Sequence, residues 1–164
     1  LAEQGATPGQ RSGFDLARAA HLETALGGFE RVVDAWGERD PAQLDRRRRA
    51  MLRAALINRA RANYDLGRWE QAARLYDVVA RRHADEHISM QALVQIVNCF
   101  ERMGEPEKAD VAHRNALLRL EQLPETAFDA ADALMDRDAW SQWLRNRPVG
   151  RMAAATATDT GGDP

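Results

Sequence analysis

Three groups of residues in this chain carry side chains that could do chemistry. His83-Ala-Asp85-Glu86-His87 gathers two imidazoles and two carboxylates within five positions, donors that would suit a zinc ion if a helix brought both rings to one side. The spacing is not that of H-E-x-x-H. The segment also falls where a turn between two helices is expected, and a His at a helix C-terminus gains from the dipole with no metal present. Cys99, the only cysteine, could act as a nucleophile or redox site, but no His follows it in a catalytic frame, and buried packing is the expectation. A single Cys also excludes an intramolecular disulfide. Arg46, Arg47, Arg48 and Arg49, with Arg53, Arg59 and Arg61 downstream, could contact phosphates along one helix. Four consecutive residues point four ways around a helix and no aromatics are interleaved for base stacking, so a solvated, ion-paired face is favoured over nucleic acid.

No Gly-rich phosphate loop, G-x-S-x-G elbow or Cys-x-x-Cys pair is present. Acids alternate with arginines as surface pairs do. The expectation is a non-catalytic chain with no catalytic residue, no metal ligand and no cofactor.

The elements that must position these residues are helices. The 164 residues are 45% hydrophobic but only 6% aromatic, and abundant Ala suits closely approaching helices better than sheets. Acidic and basic residues nearly cancel, 25 against 23, so no global field draws nucleic acid or an anionic membrane. Lys108 is the only Lys, a skew toward Arg that GC-rich coding produces and that lowers the weight of any one Arg cluster. No run reaches the about 18 apolar residues that a membrane span needs. The chain starts at Leu1 without Met or a signal segment, and reads as a piece of something longer.

Along the chain, residues 1–11 read as a disordered leader. Ser12 with Asp15 gives a capping-box-like start for a helix from about Phe14 to Trp36. Asp40-Pro41-Ala42-Gln43 is a stronger start, opening a helix that runs to Leu66 or breaks near Asp45. Gly67 ends it, and helices are expected over 69–82, 88–103 and 106–123, with Pro124 as the stop. Residues 125–136 form an acidic connector with room for one helical turn. Asp136 or Asp138 then caps a short helix whose Trp140, Trp143 and Leu144 share one face. Residues 148–164 read as a disordered tail.

One segment occurs twice: Leu66-Gly67-Arg68-Trp69 followed by Ala72 and Tyr76, then Met103-Gly104-Glu105-Pro106 followed by Ala109 and His113. These residues resemble the tetratricopeptide repeat, whose pattern marks the contact positions of a helix pair. The first copy offers Leu56, Ala60, Ala72 and Tyr76, the second Leu93, Ile96, Phe100, Ala109 and Ala116. Arg59 and Asn63 stand where the family prefers apolar residues, Val97 where it prefers a small one, and the closing Pro is absent from both copies.

The resemblance implies an all-α fold of antiparallel helix hairpins stacked as a short right-handed solenoid over 12–147. Clear repeats would occupy 51–87 and 88–123, a degenerate one 14–40, and a capping helix 137–147. It further implies a scaffold for another protein, holding a peptide or helix in a concave groove presented by Ile57, Arg61, Tyr64 and Asp65 from one repeat and Gln91, Val94, Asn98, Glu101 and Arg102 from the next. Trp140, Trp143 and Leu144 would be the structural cap. Bacterial repeats of this kind resemble accessory partners of envelope or assembly machines, in the cytoplasm or periplasm. A nucleic-acid-associated regulator using the Arg46–Arg49 helix is the alternative.

Overall fold

Apolar residues at helical spacing build the elements. Leu22, Ala25, Leu26, Phe29, Val32, Val33 and Trp36 recur at helical spacing and are among the buried or half-buried side chains of the first helix, the stripe an amphipathic helix needs. The computed structural model describes residues 8–131 and 133–147, and among them the regular structure is helical, without strands. The α-helices are α1 (Pro8–Trp36), α2 (Arg46–Asp65), α3 (Trp69–Arg82), α4 (Ile88–Arg102), α5 (Pro106–Gln122) and α6 (Arg137–Asn146), with short 3-10 turns at Pro41–Gln43 and Glu125–Phe128. The fold is all-α, as expected. No helix among the described residues is long and apolar enough to cross a membrane.

The chain divides after Arg68 into two units. In the first, α1 packs against α2, whose buried Leu52, Ala55, Leu56, Ala60 and Asn63 form the matching stripe. Asn63 is satisfied by donating from Nδ2 to the Arg59 carbonyl at 2.8 Å, which explains how a polar residue occupies an apolar position. Arg68 pairs with Glu23, and Arg18 lies 3.9 Å from Asp65, tying α1 to the end of α2. The helix begins at Pro8, not near Phe14. Proline loses nothing at a first helical position, so the helix takes in 8–11, and position 12, expected to start it, lies within it. Residues 1–7 of the expected leader and all of the expected tail, 148–164, lie outside the described residues. The break near Asp45 is present: Asp40 accepts from Ala42 N at 2.9 Å and caps only the 3-10 turn. Asp45, accepting from Arg48 N at 2.8 Å, starts α2.

In the second unit α3 packs on α4, α4 on α5 and α5 on α6. Ala72, Ala109 and Ala116 are fully buried, as small residues at close helix approaches must be. The turn after α2 and the turn after α4 are built alike. Gly67 N donates to Tyr64 O and Arg68 N to Asn63 O; Gly104 N donates to Glu101 O and Glu105 N to Phe100 O. Both glycines have φ near +70°, at 74° and 70°, the left-handed residue of a Schellman motif that satisfies the last helical carbonyls. α3 and α4 are joined by the 83–87 turn, as the sequence places it.

Candidate partner-binding groove

α4 is apolar on more than one side, so it needs more than one cover. One side is closed by α6. Met90 and Val94 of α4, Ala116 and Leu120 of α5, Leu123, Ala127, and Trp140 and Leu144 of α6 make one buried cluster. Two arginines pin the ends of α6. Arg137 donates to the carbonyls of Leu120 and Leu123, pairs with Glu125 at 2.6 Å and lies over the Phe128 ring. It thereby satisfies carbonyls at the C-terminal end of α5 that have no helical partner. At the other end Arg147 pairs with Glu101 at 2.6 Å, donates to Asn98 Oδ1 and stacks on Trp143. His113 of α5 adds a ring-nitrogen hydrogen bond with Leu144 O, 2.9 Å. Asp136 caps α6 by accepting from Ala139 N at 2.8 Å.

The other side of α4 is open. Leu93, Ile96, Phe100 and Met103, spaced three, four and three apart, floor a trough of about 900 Å³ between α3 and α5. Its lower walls are the small, buried Ala73 of α3 and Ala112 of α5, which leave the floor reachable where larger residues would fill it. Val111, 49% exposed, forms one lip. The rim is charged. Arg74 is bound to Glu70 at 2.7 Å, and Lys108 to Glu105 at 2.9 Å while lying over the Phe100 ring. Both rim cations are thus neutralised. Asp77 pairs with Arg81 at 2.7 Å, and Glu107 has no ion-pair partner among the described residues, so the remaining rim charge is acidic.

The residues expected to present a groove fall out differently. On α2, Ile57 and Tyr64 are half-buried and Arg61 and Asp65 exposed, one stripe along the helix. On α4, Gln91 is half-buried and Arg102 exposed. Val94 is corrected: it is 6% exposed inside the cluster beneath α6, because it shares a face with Met90 that Trp140 and Leu144 cover. Asn98 and Glu101 are already held by Arg147. Of the expected capping residues, Trp140 is 4% exposed and Leu144 0%, whereas Trp143 is 39% exposed and meets Trp140 edge-on with centroids 6.0 Å apart. Trp143 is therefore corrected from a buried cap residue to one on the edge of α6, since only i and i+4 point into α4 and α5.

The sequence does not place an open trough here, although apolar side chains around most of the circumference of α4 are its signal. Arg137 and Arg147 were missed because nothing local marks an arginine whose acceptors are distant in sequence.

The reactive groups have quieter settings. Cys99 is fully buried, and burial pushes its thiol up to about 12 from 9.0, so it is protonated and unreactive at neutral pH. His83 Nδ1 lies 2.8 Å from Glu86 Oε1 in the turn, and His87 is buried at the start of α4. Among the described residues no three His, Cys, Asp or Glu groups gather for a metal. Arg46 to Arg49 form the exposed first turn of α2, with Arg48 paired to Asp45 at 3.4 Å. No family model, curated protein or solved structure matches this chain.

Proposed function

We propose that this chain is a non-catalytic interaction scaffold of tetratricopeptide-like helix hairpins, stacked as a short right-handed solenoid, that binds a peptide or helix of another protein. The observation that carries the reading is the open apolar trough on α4, a concave, charge-rimmed surface of the kind that proteins use to hold partners. The identical Schellman turns at Gly67 and Gly104 support the repeat, and so do the buried Ala72 and Ala109 at corresponding positions after them. α6 then acts as the terminal cover that a stacked array needs.

The test is site-specific photo-crosslinking of the full chain in extract of the source cells, with the reactive group placed in turn at Val111, Arg61 and Arg102. A discrete adduct from at least one position, competed by excess unlabelled chain and re-formed with the purified partner, is expected. No competed adduct from any position removes the scaffold reading.

A second reading uses the Arg46–Arg49 turn. Four exposed cations at the positive end of a helix oppose the dipole by about 0.3–1 kcal/mol each, a cost that a phosphate-bearing ligand would offset. Electrophoretic retardation of nucleic acid at two salt concentrations separates the readings, since phosphate binding weakens steeply with salt.

A further inference from the structure

We infer that the trough between α3 and α5 receives an amphipathic helix, not an extended peptide, and that this helix carries basic residues beside its apolar stripe. The inference rests on the scaffold reading and adds to it the conformation and charge of the partner segment.

The choice of helix follows from the walls. α3, α4 and α5 spend their backbone groups within their own helices, so they offer no free edge to which an extended chain could pair its N–H and C=O groups. An extended peptide lying over Leu93, Ile96, Phe100 and Met103 would leave those groups unpaired against an apolar floor. A helix brings its own hydrogen bonds. The floor stripe, ten residue steps at about 1.5 Å each, is about 15 Å long, which fits about three turns of a partner helix with apolar residues at i, i+3 or i+4, and i+7. The protein contains an instance of this mode: on the opposite side of α4, α6 places Trp140 and Leu144, an i and i+4 pair, into an apolar surface and ends in a cation on Glu101.

Charge fixes the rest. With Arg74, Lys108 and Asp77 each held in one ion pair, to Glu70, Glu105 and Arg81, Glu107 on the α5 wall is the rim charge left without an ionic partner among the described residues, and it sets the sign of the rim. A basic flank is complementary to this rim and an acidic one is repelled.

The experiment titrates the full chain, by fluorescence anisotropy, with three synthetic helical peptides of about 14 residues, roughly four turns. One has Leu at i, i+3 and i+7 with Lys flanks, one the same stripe with Glu flanks, and one the Lys composition with the Leu residues scattered around the helix. Expected is about tenfold tighter binding of the Lys-flanked peptide than of either other, narrowing as salt rises. Glu107→Lys with Asp77→Lys is expected to invert the preference, and Val111→Lys to abolish binding of the Lys-flanked peptide, with circular dichroism unchanged in both. Equal binding of the Lys- and Glu-flanked peptides, no binding of the Lys-flanked peptide, or binding undiminished by Val111→Lys overturns the inference. In that event, competed crosslinks from Arg61 or Arg102 alone leave the scaffold reading standing and remove the trough. Crosslinks from no position remove both.

Discussion

α4 presents one apolar side that the chain covers for itself and another that it leaves open. On the covered side the large residues have neighbours on three elements: Met90 and Leu144 are 0% exposed, and the polar groups at the edges are claimed by Arg137 and Arg147. On the open side Phe100 and Met103 remain half-buried, Leu93 is half-buried against the edge of the covered cluster and Ile96 is 8% exposed; their flanks are alanines, and charge is confined to the rim. The difference is one of completion. Hydrophobic burial scales with the area removed from water, so the covered side contributes to folding a stabilisation that the open side would add only if it too were covered.

That comparison breaks most visibly at Leu144. Leu144→Ala removes a fully buried side chain where α4, α5 and α6 meet, and is expected to lower stability by about 2–5 kcal/mol. Equilibrium denaturation in urea checks it. A loss well under 1 kcal/mol would mean α6 is a loosely held element and the two sides are not distinct. Next in size is Ala109→Leu, overpacking a position with no exposed surface. A loss of about 1–3 kcal/mol is expected, read from the same titration.

Cys99 sharpens the comparison from the interior of α4. Its thiol is held up to about 12 against 9.0 when exposed, so above pH 9 the unfolded chain releases a proton that the folded chain keeps. Stability from this group is constant below pH 9 and falls as pH rises from 9 toward 12. A Cys99→Ala variant should show a shallower decline over that window. In native protein at pH 8 the thiol should react with an aromatic disulfide reagent only as fast as the chain opens. The smallest stability effect belongs to the open side: Val111→Glu, at a half-exposed lip, should change stability by no more than about 0.5 kcal/mol.

Most of the fold was legible where a signal was local. α3 begins and ends at Trp69 and Arg82 as read, because a glycine turn precedes it and a strongly amphipathic stripe runs through it. α6 likewise follows from Asp136 and the i, i+4 pair. The start of α2 was less determinate, since Asp40 and Asp45 are both competent caps. Burial of Leu44, 4% exposed between them, belongs to the arrangement that ends the first turn and begins a new helix. The site was legible only in part. An all-round apolar helix does not say which side its own chain will cover, and that choice is made by α6, which starts at Arg137 while α4 starts at Ile88. Val94, expected on the groove, is therefore buried beneath α6, while Phe100, expected at a repeat contact, is left half-buried on the open side.

The paired turns have a stereochemical consequence. At both Gly67 and Gly104 an added Cβ would meet nothing within 4 Å, so the demand for glycine there comes from the sign of φ alone and not from space. Handedness, not size, is what these positions select. A D-alanine introduced at Gly104 by chemical ligation would adopt that φ without strain and narrow the unfolded ensemble, raising stability by about 0.4–1 kcal/mol. L-alanine at the same position would lower it by about 1–2 kcal/mol. Two proteins of identical composition, differing at one mirror-image centre, would thus melt on opposite sides of the parent.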